Sequence, residues 1–344
     1  MTIYDISKKA GVSIATVSRV MNGSSNVSPK TKKKVLDVIA ECGYSPNIFA
    51  RGLGLDSMNS VGILCADSSD IYLAKAVYYI ERALRAGGYN SILACTGYDL
   101  QNRIDSMNLI LNQRVDCIIL VGSSFVESDD KNNDYIREAA DKVPVMLLNA
   151  DFDYPNVFCT LCDDFKSTMN ATLWLLENNR KNILYLYNSN SYSGIKKLSG
   201  YRSAILMKEN SINTDYQQYF PGSHEDITGV CDFLIKLNNN GLEFDSVLCA
   251  DDMLATGAVK YAKKKKLRIP KDISIIGYNN SILTTASEPE LSSIDNHLEI
   301  LCAQLVKSCI MVLNKEDVPQ KTIFSGELVC RKTTPASSHK HNES

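Results

Sequence analysis

The N-terminal stretch IYDISKKAGVSIATVSRVMNG, Ile3 to Gly23, places apolar residues at the spacing of a single helical face, interrupted once by Gly11. The apolar positions assigned to the inward faces are Ile3, Ile6, Ala10, Val17, Val20 and Met21. This pattern predicts two short helices that share a core. Gly11 can adopt the positive φ of a tight turn, and the Ser13 hydroxyl can cap the second helix.

A third helix is predicted to begin at Ser28-Pro29, a capping residue followed by a proline suited to a first turn, and to end at Cys42-Gly43. Its apolar residues, expected to complete the core, are Val35, Leu36, Val38 and Ile39. The outer face of the second helix carries groups able to reach bases and phosphates, namely Ile14, Ala15, Ser18, Arg19 and Asn22. The spacing alone leaves open any small helical bundle.

From Ser60 onward, short apolar segments alternate with amphipathic segments of helical length. The apolar segments are SVGILCA, YNSILACT, VDCIILVG, VPVMLLN, KNILYLYN, DSVLCAD and DISIIGYN. Alternation of this kind is typical of parallel sheets flanked by helices, and it occurs in two sets on either side of about residue 162. Two such lobes enclose a cleft at the carboxyl ends of their strands, where ligands bind.

Composition adds a charge asymmetry to this picture. The 344 residues carry a net charge of −2, but residues 1–60 hold eight Lys or Arg against four acids, which leaves +4 there and −6 in the remainder. A basic N-terminal segment on an acidic chain indicates that this segment alone meets a polyanion. No apolar run reaches the length of a membrane span and no signal peptide precedes the first helix, so a cytoplasmic location is expected.

Most of the eleven cysteines lie inside apolar segments, where a thiol packs as a small hydrophobe. Cys159 and Cys162 form a Cys-x-x-Cys pair without a second pair or a histidine pair, so neither a metal nor a cofactor is expected. The motifs of serine hydrolases, phosphate-binding loops, dinucleotide-binding proteins and zinc proteases are missing from the sequence, which gives no support to an enzyme.

The segments TIYDISKKAGVSIATVSRVMNG and VSPKTKKKVLDVIAECGYSPN strongly resemble the helix-turn-helix of the LacI/GalR (lactose-repressor) family. The resemblance implies that the second helix enters the major groove, with Ile14, Ala15 and Arg19 at the base-reading positions. Arg19 could then bind guanine through two hydrogen bonds, whereas Ile14 and Ala15 could offer only apolar contact. The residues implied to hold phosphates, which position the domain without reading sequence, are Thr2, Ser13, Thr16, Ser18, Asn22 and Thr31.

After Pro46, the segment NIFARGLGLDS resembles the family's hinge helix, which folds when a dimer sits on DNA. Leu53 matches the leucine that wedges into the minor groove and unstacks a base step. Gly52 and Gly54 each disfavour a helix by about 1 kcal/mol relative to alanine, so this hinge is expected to be disordered away from DNA. A plain flexible linker remains the alternative.

The phrases QRVDCIILVG, LSGYRSAI, CADDMLATGAVKYA, RIPKDISIIGYNN and EPELSSIDN resemble the family's effector-binding core, whose fold is that of periplasmic sugar-binding proteins. The expected fold class is therefore α/β, with a three-helix head and a two-lobed core of parallel sheets flanked by helices. The expected ranges are 1–45 for the helix-turn-helix, 46–59 for the hinge, 60–162 with 292–318 for the first lobe, 163–291 with 319–332 for the second, and 333–344 for a polar tail.

The resemblance also implies a set of residues around the effector: Tyr72, Asp164, Lys197, His224, Asp251 and Asn279. Lys197 stands where the family usually has arginine and offers a point charge in place of a planar fork. Asn279, in GYNN, replaces a carboxylate with an amide that can donate as well as accept. Tyr72 could instead be a packing residue, and His224 a solvated loop residue.

These observations predict a ligand-responsive, sequence-specific transcriptional regulator, expected to be a repressor that binds a pseudo-palindromic double-stranded DNA operator as a homodimer. The expected effector is a small sugar or related metabolite. The tail KTTPASSHKHNES has no apolar heptads, so the coiled coil of a tetramer is not expected. A solute receptor for transport is the rival interpretation, disfavoured by the basic head and the missing export signal.

Overall fold

The computed structural model describes residues 2–21, 26–43, 58–209, 211–223 and 225–335. The chain divides into two compact units, Met1–Met58 and Asn59–Ser344, which we call the head and the body. Among the described residues, no helix combines the length and the apolar character that crossing a membrane would need.

The described part of the head contains three helices, α1 Ile3–Ala10, α2 Ile14–Met21 and α3 Pro29–Glu41. Gly11 has a φ of 59° and ends α1, as its position in the pattern predicted. The Ser13 hydroxyl accepts a hydrogen bond from the backbone N–H of Thr16 at 3.1 Å, and Ser28 caps α3 in the same way. The helix limits predicted from periodicity and capping are confirmed.

The core of the head is small and entirely apolar. Its fully buried residues are Ile6, Ala10, Val17, Val20 and Val35, with Ile3, Met21, Val38 and Ile39 packed around them. Leu36 was predicted to belong to this core, and that prediction was wrong because its side chain is 45% exposed. Neighbouring residues on a helix point about 100° apart, so the face that buries Val35, Val38 and Ile39 turns Leu36 outward.

The body holds two six-stranded sheets. The first contains β1 Ser60–Cys65, β2 Asn90–Cys95, β3 Cys117–Val121, β4 Val145–Leu148, β5 Val157–Cys162 and β11 Lys321–Phe324, in the order β11-β5-β4-β3-β1-β2. The second contains β6 Ile183–Tyr187, β7 Gln217–Tyr219, β8 Ser246–Cys249, β9 Ser274–Tyr278, β10 Ser292–Asp295 and β12 Glu327–Val329, in the order β12-β10-β9-β8-β6-β7. Neighbouring strands are parallel except β10 and β12, which are antiparallel.

Helices cover both sheets, as the alternating pattern predicted. The first lobe contains α4 Ile71–Ala86, α5 Leu100–Asn112, α6 Asp134–Ala140 and α12 Leu298–Leu313. The second contains α7 Asp164–Glu177, α8 Tyr192–Glu209, α9 Ile227–Asn239, α10 Asp252–Lys264 and α11 Leu283–Ala286. A three-helix head and a body of two parallel α/β lobes are the predicted fold class, which is confirmed.

The predicted limits of the lobes near the C-terminus were displaced by a few residues, although α12 lies in the first lobe and β12 in the second sheet, as predicted. The range 292–318 was assigned to the first lobe, yet β10 pairs with β9 in the second sheet, and Leu291 and Ile294 pack in the core of the second lobe. The range 319–332 was assigned to the second lobe, yet β11 pairs with β5 in the first sheet. The chain therefore crosses between the lobes after Cys162, after Asp295 and between Phe324 and Glu327.

The three crossings meet at Gly326. Its backbone N–H donates to the Ser167 hydroxyl at 3.1 Å. A Cβ added at Gly326 would lie 2.8 Å from that hydroxyl, 3.0 Å from the carbonyl oxygen of Asp295 and 3.2 Å from the sulfur of Cys162. Each crossing thus contributes an atom to one contact, which only a residue without a side chain can occupy.

Candidate DNA-reading face and effector cleft

In the head, α2 turns Val17 and Val20 into the core and leaves its opposite side in solvent. Ile14, Ala15 and Arg19 are all exposed on that side, and Ile14 retains 39% of its surface. The helix therefore presents one guanidinium and two apolar groups together. An α-helix fits the major groove, where these groups match guanine and the thymine methyl.

The residues expected to contact phosphate lie mostly at helix N-termini. Thr2 precedes α1, where its backbone N–H donates to the Asp5 carboxylate at 2.7 Å, and Asp5 has a pKa lowered by hydrogen bonds from the backbone and hydroxyl of Thr2. Ser13 and Thr16 share a hydroxyl contact of 2.9 Å at the start of α2. Thr31 lies in the first turn of α3, and Ser18 lies beyond the first turn of α2. Helix N-termini favour anions, so this placement suits phosphate contact.

Two of the expected head residues, Asn22 and the proposed wedge Leu53, lie outside the described residues, as does the hinge from 46 to 57.

In the body, a cavity of about 420 Å³ lies between the lobes at the carboxyl ends of their strands. Tyr72 of the first lobe lines it, together with Lys197, Asp251 and Asn279 of the second. The structure thus brings together four of the six residues predicted around the effector. His224 lies outside the described residues.

Lys197 is held firmly although it lines the cavity. Only 8% of it is exposed, its ammonium group donates to the carbonyl oxygen of Ala250 at 3.0 Å, and the Tyr278 ring centroid lies 3.7 Å away. A carbonyl dipole and an aromatic face both stabilise a buried cation. Much of this charge is therefore compensated by the protein itself.

Asp164 was predicted on the ligand side, but it lies beneath the cleft and does not line the cavity. It is 4% exposed, and its two carboxylate oxygens accept hydrogen bonds of 2.5 Å from the hydroxyls of Ser193 and Tyr278. Burial raises its pKa, an effect that the nearby charge of Lys197 opposes. Asp164 therefore fixes Tyr278, the ring on which Lys197 rests.

Close packing of α7 on α8 explains this placement. A Cβ added at Gly200 of α8 would lie 2.2 Å from the carbonyl oxygen of Phe165 in α7, so the two backbones are nearly in contact. Asp164, the first residue of α7, consequently faces Ser193 of α8 across a short gap. A glycine can occur inside a helix for several reasons, so the sequence alone does not predict this close approach.

Three asparagines that the sequence analysis missed hold three of the predicted cleft residues. Each follows directly on the last residue of a strand, and each donates a side-chain N–H to its partner. The pairs are Asn149 with the hydroxyl of Tyr72, Asn188 with the carboxylate of Asp251 at 3.0 Å, and Asn296 with the amide oxygen of Asn279 at 3.1 Å. A polar residue directly after an apolar strand is a signal that could have found Asn149 and Asn188, because parallel strands end at the cleft. Asn296 follows the mostly polar strand SSID and gives no such signal.

A buried arginine of the first lobe, which the sequence did not predict as a cleft residue, also stabilises the cavity wall. Arg103, which is 4% exposed, donates to the carbonyl oxygens of Tyr98 at 2.6 Å and Ser124 at 2.5 Å, and it pairs with Glu127 at 2.8 Å. Tyr98 and Ser124 both line the cavity. This guanidinium therefore fixes the loops that form one wall of the cleft.

The two walls also touch directly. The hydroxyl of Ser123, after β3 in the first lobe, donates to the hydroxyl of Ser191, before α8 in the second lobe, at 2.9 Å. Both serines line the cavity. A hydrogen bond across the cleft depends on how far the lobes are closed. Among the described residues, no cluster of His, Cys, Asp and Glu is suited to a metal ion.

Two family models match the chain, one over the head and one over the body. The family described as bacterial regulatory proteins, lacI family, matches residues 2–47. The family described as periplasmic binding proteins and sugar binding domain of LacI family matches residues 58–330.

An HTH-type transcriptional regulator of Lachnoclostridium phytofermentans is 53% identical over 97% of this chain and 99% of its own. Catabolite control protein A of Priestia megaterium is 28% identical over 94% of this chain and 96% of its own. Among solved structures, the lac repressor dimer bound to operator and the anti-inducer ONPF superposes with a TM-score of 0.86 at 24% identity, over 98% of this chain and 99% of that one. A complex of the transcriptional regulator CelR with cellobiose superposes with a TM-score of 0.70 at 23% identity, over 97% of this chain and 99% of that one.

Proposed function

The chain belongs to the LacI family of bacterial regulatory proteins, and from this premise we propose that it is a repressor whose operator binding is controlled by a small, sugar-like effector. It is a DNA-binding transcriptional regulator with an effector-binding domain, and not an enzyme. The observation that carries the proposal is the exposed face of α2 in the head, combined with a polar cavity between the lobes of the body.

Sequence recognition is assigned to Arg19, which reads guanine, with Ile14 and Ala15 contacting thymine methyl groups. The hydroxyls of Thr2, Ser13, Thr16, Ser18 and Thr31, with the Asn22 amide, hold phosphates and set the register. Leu53 enters the minor groove between paired hinges. Because base contacts carry the specificity, most of the sequence preference depends on a few side chains of α2.

The operator is proposed to be pseudo-palindromic because the protein acts as a homodimer. A mostly apolar groove of about 810 Å³ on the body is lined by Ile71, Tyr78, Ile282 and Ile300, which retain 37%, 49%, 70% and 54% of their surfaces. Exposed apolar side chains grouped in this way are typical of protein interfaces, and a second copy would cover them. Sedimentation is expected to give a dimer at micromolar concentration, and a stable tetramer would contradict the proposal.

The effector is proposed to occupy the cavity between the lobes, in contact with Tyr72, Lys197, Asp251 and Asn279, and His224 is proposed to reach the same ligand. The relative solved with cellobiose, a sugar, supports a carbohydrate-like ligand. Tyr72 and Asn279 line both this cavity and the apolar groove, so a ligand that moves them also changes the proposed dimer surface. Effector binding then changes the affinity for the operator by the same factor by which operator binding changes the affinity for the effector. A regulator of this kind acts in the cytoplasm.

The test is selection of bound duplexes from a random DNA library by the purified full-length protein at near-physiological salt. A chain starting at Ser60, which retains the body, is the control. Enrichment of a two-fold symmetric site by the full-length protein alone is expected. If no site is enriched, even after addition of a metabolite extract, the proposal fails in favour of a solute-binding role.

A further inference from the structure

One segment of the second lobe binds the first lobe through two neighbouring side chains. Residues 189–192, which we call the strap, lie between β6 and α8 and include the first residue of α8. The Ser191 hydroxyl accepts a hydrogen bond from the Ser123 hydroxyl of the first lobe at 2.9 Å. The Tyr192 hydroxyl donates to the carboxylate of Asp151, also in the first lobe. The strap therefore reaches two separate loops of the opposite lobe, one after β3 and one after β4.

The contact of Tyr192 with Asp151 is reinforced by charge. Lys321 of β11 pairs with the same carboxylate at 2.6 Å, and the ammonium group of Lys196 lies 5.4 Å from the Tyr192 ring centroid. Burial, the charge of Asp151 and the hydrogen bond to its carboxylate together raise the pKa of Tyr192 to about 12, so the hydroxyl keeps its proton at neutral pH. A hydroxyl that donates to a carboxylate makes a stronger hydrogen bond than one between neutral groups, so Tyr192 is expected to hold the strap more firmly than Ser191 does.

Both ends of the other contact are fixed within their own lobes. The Ser191 hydroxyl also accepts from the backbone N–H of Gly194 at 3.4 Å, and a Cβ added at Gly194 would lie 2.3 Å from the carbonyl oxygen of Ser189. The strap is thus folded onto the first turn of α8. In the first lobe, Ser123 follows Gly122, whose φ of 108° suits a residue without a side chain. The contact between the two serines therefore depends on the separation of the lobes and not on a loose loop.

The strap is also a wall shared by two cavities between the lobes. Beside the effector cavity, a second cavity of about 310 Å³ is lined by Glu127 of the first lobe and Ile195 of the second. The residues that line both cavities are Ser124, Ser189, Asn190 and Ser191. Release of the strap would therefore join the two cavities into one groove.

The chain crossings join the lobes at Gly326, and a second attachment opposes rotation about the first. We propose that the strap is a latch: its hydrogen bonds to Ser123 and Asp151 hold the lobes closed and break together when the lobes separate. Each bond contributes modestly to stability because water replaces it when it breaks, so the latch can open without unfolding either lobe. The proposal goes beyond the proposed function, since it does not depend on which molecule the cleft binds.

The first experiment follows hydrogen exchange in the full-length protein by mass spectrometry. Tyr192→Phe removes only the hydroxyl that reaches Asp151. We expect exchange to become about threefold or more faster at 149–153, which faces Tyr192, and also at 122–128, which meets the strap through the other contact. Tyr154→Phe is the matched control, because its hydroxyl donates to Asp141 at 3.0 Å within the first lobe, and it should leave exchange at 122–128 unchanged.

The second experiment ties the lobes at the serine contact. Ser123→Cys combined with Ser191→Cys places two thiols where the hydroxyl oxygens lie 2.9 Å apart, a separation that a disulfide can span. In the Tyr192→Phe background, oxidation with diamide should return exchange at 149–153 to within about twofold of the wild type, and reduction should undo this. Peptide mapping distinguishes the new disulfide from the native thiols. If Tyr192 acted only by packing around its own ring, a bond at another position would not restore the exchange.

The outcomes decide the latch by itself. Unchanged exchange at 122–128 in Tyr192→Phe, or an equal change in Tyr154→Phe, would mean that the two contacts do not open together, and the latch would be wrong. A disulfide that forms without slowing exchange at 149–153 would also overturn it. Neither result bears on the regulator proposed above, because both measurements use the protein without effector or operator.

Discussion

The reading face of the head and the cleft of the body are built in different ways. In the head, Ile14, Ala15 and Arg19 belong to one short helix whose cap lies three positions from its partner Thr16. In the cleft, the residues that face the ligand are separated from those that hold them, by 77 positions for Asn149 and Tyr72 and by 63 for Asn188 and Asp251. One site is held by its immediate neighbours in the chain, and the other by distant ones.

The two regions also differ in what they bury. The buried residues of the described head are all apolar, whereas the body buries Arg103, Asp164, Lys197 and Asp252. An apolar core tolerates exchange of one apolar side chain for another of similar shape, but a buried polar group needs its particular hydrogen-bond partner. The head should therefore respond to substitutions that change polarity inside it, and the cleft to substitutions that remove a single hydrogen bond.

The largest effect is expected from Val17→Asn in the head. It removes a fully buried side chain and leaves an amide without partners, at a cost of about 3 kcal/mol or more to a small domain. Operator binding should fall at least about a hundredfold in a fluorescence titration, while the thermal transition of the body stays unchanged. Leu36→Asn is the matched control and should stay within about 0.5 kcal/mol because Leu36 is exposed. Equal damage by both variants would contradict the placement of Leu36.

A pH dependence of opposite sign should separate the two units. Burial raises the pKa of Asp252 to about 6, so its stabilising contribution is present below its unfolded value of 3.8 and is lost as pH rises to about 6. For the body this amounts to about 3 kcal/mol, and Asp252→Asn should remove this component from the pH dependence of unfolding. In the head, the lowered pKa of Asp5 stabilises above 3.8 and is lost as pH falls. An identical pH profile for wild type and Asp252→Asn would exclude the titration.

Arg19→Ala is expected to cost about 1–3 kcal/mol at the cognate operator and to relax the preference at one base pair. Lys33→Ala, also exposed in the head, should at most weaken binding to all sequences alike. Binding to operator variants at each position separates the two outcomes. Unchanged preference in Arg19→Ala would remove α2 from its proposed role.

The smallest effect is expected from substitutions of residues that hold the cleft side chains from distant positions in the chain. Asn149→Ala should weaken effector binding about two- to tenfold, because Asn149, which lines the cavity, donates to the Tyr72 hydroxyl and accepts from the backbone N–H of Cys162. Tyr72→Phe should have a similar effect, and the double variant should add little to either because both remove the same hydrogen bond. Additive losses would mean that Asn149 acts on the ligand in some other way.

The same contrast explains what could be predicted. The helices of the head and the paired lobes followed from periodicity and caps, which are local properties. The sheet that a short segment such as SSID or KTIF joins is not local, and for this reason the crossings near residues 292 and 319 were misplaced.

In the cleft, the prediction found the residue types that line the cavity but not how each is oriented. Asp164 was predicted to face the ligand, but it lies beneath the cavity. This placement depends on the close approach of Gly200 to the backbone of Phe165, which the sequence around Asp164 does not reveal. Asn296 was overlooked because its role appears only when β9 and β10 lie side by side. Partners that meet through the fold cannot be read from spacing.

Gly326 has a mechanical consequence. Two bodies joined by one chain segment can rotate and slide, whereas three segments that touch at one point oppose sliding and leave rotation about that point. The atoms of Cys162, Ser167 and Asp295 lie around Gly326 in this way, so we expect any relative movement of the lobes to be a rotation about that contact. A ligand that draws the lobes together would then do so by turning one lobe against the other.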